Sequence, residues 1–158
     1  MKNKAVAEYF IKLANYHGES ITHLKLQKLV YYAQVWHIAL NDRTPLFEEN
    51  REFQAWQHGP VNYDLYKDYK KYLYNQINHE PNEELINKYL SEDDKEFIEE
   101  VSSVYLQYGA YKLELMTHQE EPWIKARGGL PNDAPSKTVI DESVMYDFYK
   151  KLSESENK

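Results

Sequence analysis

Six histidines are the first side chains that could do chemistry: His17, His23, His37, His58, His79 and His118. Histidine titrates near neutrality, so each is a candidate general base or metal ligand. None forms an HExxH or HxxxH pair. His118 and Glu121 are three apart, which would place two ligands on one helical face, but Pro122 interrupts the helix there. With no cysteine, the chain cannot build a zinc–thiolate site, a disulfide framework or a thiol nucleophile. No GxSxG elbow is present, and Ser102-Ser103 lies inside a helical pattern, a poor place for an exposed nucleophile. Gly128-Gly129 has no Lys-Ser/Thr after it to cradle a phosphate. The paired carboxylates Glu48-Glu49 and Glu99-Glu100 read as solvated faces. The residues therefore predict no catalytic set, no metal and no cofactor.

The elements that would position these groups are mainly helical. Val6, Tyr9, Phe10 and Leu13 fall at helical spacing within 3–17, and Gly18 stands where a C-terminal cap belongs. Thr22 caps a helix over 23–41, whose stripe of Leu26, Leu29, Val30, Ala33, Trp36 and Leu40 is widened by Tyr32, Val35 and Ala39. A helix so broadly apolar belongs at the centre; Lys25, Lys28 and Gln34 lie off the stripe. Leu46-Phe47 and Glu52–Trp56 flank Glu48-Glu49-Asn50 as a small β-hairpin. Asn62 caps a helix over 63–74 with Leu65, Tyr66, Tyr69, Tyr72 and Leu73 inward. After a loop with one short helical piece at 83–89, Ser91 and Asp94 supply a capping box. The stripe that follows runs through Phe97, Ile98, Val101, Val104, Tyr105 and Tyr108. Short helices over 110–117 and 122–127, a Gly/Pro-rich loop over 128–135 and a last helix capped by Asp141 complete the chain. SESENK is a frayed tail. The expected architecture is one helical domain over 1–158, its core spanning about 3–152, with about six to seven helices and one small β-hairpin.

Charge narrows the partners. Nineteen basic residues face 26 acidic ones, for a net charge of −7. Such a chain lacks the basic face of a nucleic-acid binder and suits a basic protein partner. The helices at Gly18 do not make a DNA reader, because the second is too apolar to lie in a groove. No apolar run approaches a membrane span, and the charged, periodic N-terminus is not a signal peptide, so the expected location is cytoplasmic. The 15 tyrosines suit small cores and interfaces alike.

The sharpest local feature is EFQAWQHGPVNYDLY, residues 52–66. Here His58 can tie two backbone segments of a turn together, and Gly59 permits an unusual backbone angle. Pro60 is expected to end the strand before Asn62 opens the helix. Trp56 and Trp123 each adjoin a proline-containing turn. Either they pack those turns onto the helices, or they anchor a partner.

Four stretches in order carry a resemblance: LKLQKLVYYAQVWHIAL (24–40), PLFEENREFQAWQHGPV (45–61), VNYDLYKDYK (61–70) and ELMTHQEEPWIKAR (114–127). Together they resemble the SocA-like antitoxin family, also called the Panacea domain and formerly listed as a domain of unknown function and as phage-associated. The likeness runs from about residue 3 to about 152. His58, Gly59 and Pro60 match the family's HGP turn; Thr117, His118, Pro122 and Trp123 match its TH-PW turn; Leu26, Lys28, Leu29, Tyr31 and Tyr32 match its central helix. The resemblance implies an antitoxin that neutralises a neighbouring toxin by direct contact, and the acidic charge of the chain suits a basic one. Two alternatives stay open beside it: an adaptor delivering the toxin to a ClpXP-type protease, or a phage or mobile-element interaction module with a non-toxin partner. The resemblance supplies no catalytic residue. The partner-binding candidates are Lys28, Trp56, His58, Tyr63, Tyr66 and Trp123.

Overall fold

The structure, a computed structural model, describes residues 1–72 and 74–156. Helix α1 (Lys2–His17) ends on Gly18 at φ 68, where the Glu19 N–H reaches back to the Ala14 carbonyl at 2.9 Å. Helix α2 (His23–Leu40) opens on Thr22, whose side chain accepts from the Lys25 N–H. A two-stranded antiparallel hairpin follows, β1 (Gln54–Trp56) and β2 (Gly59–Val61). Then come α3 (Tyr63–Tyr69) with one 3₁₀ turn (Lys70–Tyr72), α4 (Glu83–Tyr89) and α5 (Glu92–Tyr105). Helices α6 (Ala110–His118), α7 (Glu121–Arg127) and α8 (Glu142–Glu156) complete the described residues, which thus hold eight α-helices. The predicted caps form as hydrogen bonds. Asn62 accepts from the N–H three residues on, Ser91 and Asp94 close a reciprocal box, and Asp141 accepts from the Ser143 N–H at 2.8 Å. Asn82, not predicted as a cap, likewise accepts from the N–H three residues on and opens α4.

Helix α2 is the axis of the molecule. Helices α1, α3, α5, α6 and α8 and strand β2 all pack on it. Leu26, Leu29, Val30, Tyr31, Tyr32, Ala33 and Val35 are buried along it. So are Lys25, Gln27, Lys28 and Gln34, which corrects the expectation that Lys25, Lys28 and Gln34 lie off the core face. The physical reason is that α2 is covered round its circumference, so its polar side chains must find partners inside. Gln34 accepts from the Leu46 and Phe47 N–H groups at 2.9 and 3.1 Å and donates to the Phe47 carbonyl at 3.0 Å. Two turns earlier, Gln27 accepts from the Asn62 N–H at 2.8 Å and donates to the Asn62 carbonyl at 3.2 Å. Lys25 donates to the Leu106 carbonyl at 2.7 Å. Each side chain completes the backbone hydrogen bonding of a segment that has no sheet neighbour at that point.

The hairpin also differs from expectation. Residues 46–47 make no strand; Gln34 occupies their backbone. Instead β1 pairs with the residues after the turn, Gln54 with Val61, Ala55 with Pro60 and Trp56 with Gly59. Pro60 therefore sits within a strand rather than ending one. Its opposite number, Ala55, bonds outward to the Thr138 carbonyl and to Arg127. The pair is thus one of those that exchange no ladder bonds, and the missing proline N–H costs nothing. Four further readings change in detail. The helix expected over 63–74 turns 3₁₀ after Tyr69. Leu40 and Val104, read as core, are half exposed. Helix α8 runs on through most of the expected tail. Leu73, expected to face inward, lies outside the described residues, as do residues 157–158.

Gln34→Ala leaves two N–H groups and a carbonyl of the 46–47 segment without their side-chain partner, and should cost roughly 1–3 kcal/mol of stability. The exposed Gln107→Ala should change it by less than ~0.5 kcal/mol. Urea denaturation of both variants checks this; equal midpoints would remove the role assigned to Gln34.

Candidate interaction site

The HGP turn is a corner fixed from beneath. Neither Gln57 nor His58 has positive φ; Gly59 carries the bend at φ 112. A Cβ on Gly59 would stand 2.8 Å from Lys28 Cε and 3.0 Å from Thr117 Oγ1. The backbone therefore passes directly over the Lys28 side chain, and only glycine fits both the angle and the gap. Lys28 is fully buried, and its Nζ has no hydrogen-bond partner among the described residues. Burial pushes its ammonium down to about 8, with the Glu114 carboxylate opposing.

Helix α6 closes the corner from the other side. His58 Nδ1 lies 2.7 Å from Glu114 Oε1, so the histidine joins hairpin to helix rather than tying two backbone segments together. One turn on, His118 stacks on Trp123 with ring centroids 3.9 Å apart and planes 15° from parallel. Burial lowers His118, partly offset by Glu114 and the Gln57 backbone. Trp123 donates from Nε1 to the Trp56 carbonyl at 2.8 Å. Arg127, with its guanidinium carbon 4.7 Å from the centroid of the Trp123 ring, donates to the carbonyls of Ala55 (3.0 Å), Pro131 (2.8 Å) and Ala134 (2.5 Å). The HGP and TH-PW turns, some 60 residues apart, are thus one packed unit over Lys28.

Glu120, inside the TH-PW turn, reaches the other way. Its Oε1 accepts from the Tyr32 hydroxyl at 2.9 Å and the Tyr149 hydroxyl at 2.8 Å, joining α2, the start of α7 and α8. Burial pushes its carboxyl up to about 7, against the two hydroxyl donors that favour the charged form. Tyr105 stacks on Tyr32 at 4.0 Å between centroids and accepts from Trp36 Nε1 at 2.8 Å. Sequence reasoning did not single out Glu114, Glu120 or Arg127. The signal available was their place inside the 114–127 stretch, adjacent to the residues it did name.

On its outer side the corner presents rings. Trp56 is half-buried and lies 4.9 Å from Tyr66, which in turn lies 6.0 Å from Tyr63. Tyr63 is 47% exposed. A groove of about 360 Å³ opens beside them, with Leu24 and Val61 among its lining residues and Lys137 at the Trp56 end. On the inner side, His23 accepts from Gln27 and burial lowers it to about 4, so it is a neutral partner there.

The six candidate residues therefore divide. Trp56, Tyr63 and Tyr66 share one face, with exposed His58 at the turn. Lys28 and Trp123 are buried at 0% and 2% exposure, so neither offers surface to a partner; they hold the corner that shapes it. His58 and Glu114 form a base–carboxylate pair, but the amine beneath them is sealed under Gly59. Among the described residues, no group of three or more His, Asp and Glu side chains gathers as a metal ion requires. No helix there is long and apolar enough to cross a membrane.

A family model described as antitoxin SocA-like, Panacea domain, matches residues 26–124. That span runs from the fourth residue of α2 through the hairpin to Ile124, so it contains the HGP and TH-PW turns, while Arg127, α1 and α8 lie outside it. No curated protein and no solved structure matches the chain.

Gly59→Ala should cost roughly 1–3 kcal/mol through positive φ and the Lys28 contact, read by thermal or chemical unfolding. Wild-type stability would disprove the close packing. Lys28 has a folded pKa below its unfolded value. Between about pH 8 and 10.5 the unfolded chain therefore binds the extra proton, and this contribution to stability rises with pH. Lys28→Met should lose that rise and be more stable at pH 7 by roughly 1–4 kcal/mol. Parallel pH profiles for the two proteins would show that Lys28 does not titrate as assigned.

Proposed function

Because the chain belongs to the SocA-like antitoxin family, Panacea domain, we propose that it is the antitoxin of a toxin–antitoxin pair and masks the toxin by direct binding. The observation that carries this reading is the family match, whose span contains the HGP and TH-PW turns packed together over Lys28. The face on which the toxin docks is the ring surface of Trp56, Tyr63 and Tyr66 beside the corner. Tyrosine and tryptophan bring large contact area with few rotors to freeze, which is why they dominate interface energetics. The corner is held by buried groups, so the rings are presented without ordering cost at the moment of binding. A specific interface needs roughly 800 Å² from each partner, which one face of a chain this size can supply. The reading assigns the chain a binding role and no reaction.

Co-expression with the adjacent open reading frame tests the proposal. The neighbour should arrest growth alone and fail to do so with this protein present; a harmless neighbour, or one still toxic in the pair, would refute it. Half-life of the neighbour's product, followed with and without this protein in a wild-type strain and in one lacking the ClpXP protease, separates masking from proteolytic delivery. Masking predicts neutralisation in both strains. Trp56→Ala should weaken binding by more than ~2 kcal/mol while leaving the fold intact. Trp123→Ala should instead destabilise the fold by roughly 3–5 kcal/mol. Calorimetry and circular dichroism on the two variants distinguish those outcomes.

A further inference from the structure

We infer that the Trp56–Tyr66–Tyr63 face takes an acidic segment of a partner protein, one that carries an apolar side chain for the adjoining groove. This rests on the docking face proposed above and names its chemistry. It reverses, for this face, the basic partner expected from a net charge of −7.

Three ammonium groups accompany the three rings. Lys67 Nζ lies 5.7 Å from the Tyr63 ring centroid, Lys70 Nζ 5.8 Å from that of Tyr66 and Lys137 Nζ 5.5 Å from that of Trp56. Lys67 and Lys70 come from α3 and the turn that follows it, and Lys137 from the segment after the Gly/Pro-rich loop, so the basic rim is built from two places in the chain. The carboxylates of α3 pair with α1, and one of them, Asp64, also with Lys67 of the rim. Asp68 is held by Lys4 of α1 at 2.8 Å, and Asp64 by Asn3 at 3.0 Å and Lys4 at 3.7 Å. Asp64 also stands 3.6 Å from Lys67. Across the corner, Glu114 faces His58. Among the described residues, Lys70 and Lys137 face no carboxylate within ion-pair distance.

Range then decides the partner class. Salt screens charges beyond roughly 8 Å, so a short segment lying on the rings senses these lysines more than the net charge of the molecule. A nucleic acid would carry its phosphates past the patch, with a duplex presenting one charge per ~1.7 Å, onto a surface that is acidic overall. A short acidic peptide ends where the patch ends. The groove of about 360 Å³ beside Trp56, with Leu24 and Val61 in its wall, has room for one apolar side chain between the acids.

Fluorescence anisotropy of the whole chain with three labelled probes tests the inference: a Glu–Tyr copolymer, the matching Lys–Tyr copolymer and oligo(dT). The Glu–Tyr copolymer should bind, and more weakly as salt rises. The K70E/K137E variant, checked for fold by circular dichroism, should bind it at least about tenfold more weakly. Equal binding by the variant, or tighter binding of either other probe, overturns the inference; tighter oligo(dT) binding would replace it with nucleic-acid recognition. In co-expression, K70E/K137E should lose neutralisation. If it neutralises as well as wild type while Trp56→Ala does not, acid recognition fails and the antitoxin reading stands. A neighbour that is harmless alone removes the antitoxin reading and leaves the copolymer result intact.

Discussion

A helix buried on every side has nowhere to put its polar side chains except against other backbone, and that constraint organises this protein. Helix α2 carries Lys25, Gln27, Lys28 and Gln34 into the interior. An unpaired polar group there costs on the order of 1–3 kcal/mol, so the surrounding segments are arranged to meet them. Gln34 takes the 46–47 segment and Gln27 takes Asn62, seven residues and two helical turns apart. Lys25 takes the end of α5 at Leu106. Three irregular stretches are thereby placed by the same helix.

Lys28 obeys the constraint differently. Among the described residues its ammonium has no hydrogen-bond partner, and the field of Glu114 offers compensation. A buried charge of this kind is poor evidence for stability. What it supplies is shape, because its side chain is the surface on which Gly59 is laid. The turn above it is then locked by Thr117, His118, Trp123 and Arg127 from α6 and α7. The outer edge of β1 is met by Arg127 on the Ala55 carbonyl and by backbone bonds with Thr138 and Ile140, which leaves it closed to pairing with another chain. Thus the residues most distinctive in the sequence do their work mostly out of contact with solvent. The rings they position, Trp56, Tyr63 and Tyr66, meet it.

Glu120 shows how the same stretch serves two sides. It caps no hydrogen bond of α7 with its side chain; the carboxylate instead gathers Tyr32 and Tyr149. Helix α8, outside the span of the family match, is bound to the matched region through this contact and through Tyr31, which lies 3.3 Å from the Tyr149 hydroxyl. Many of the tyrosines are accounted for in this way, as apolar bodies with hydroxyls meeting inside the core.

The sequence alone determined what depends on neighbours a few residues away. The caps at Thr22, Asn62 and Ser91, the stop at Gly18 and the central place of α2 all follow from local spacing, and each forms. The need for glycine at 59 was legible as a bend. The reason, an ammonium chain beneath it, was not, because Lys28 is 31 positions away and looks like a surface lysine by type. The hairpin partner was misjudged for a related cause. Gln34 supplies the bonds that a strand over 46–47 would have made, and no periodicity reports that. Of the candidate site, the residue types were readable but not their depth. Lys28 and Trp123 went inside, and Lys137, remote in sequence, came beside the rings. Local pattern fixes which elements form; only the closing of those elements round α2 decides which of their side chains a partner can reach.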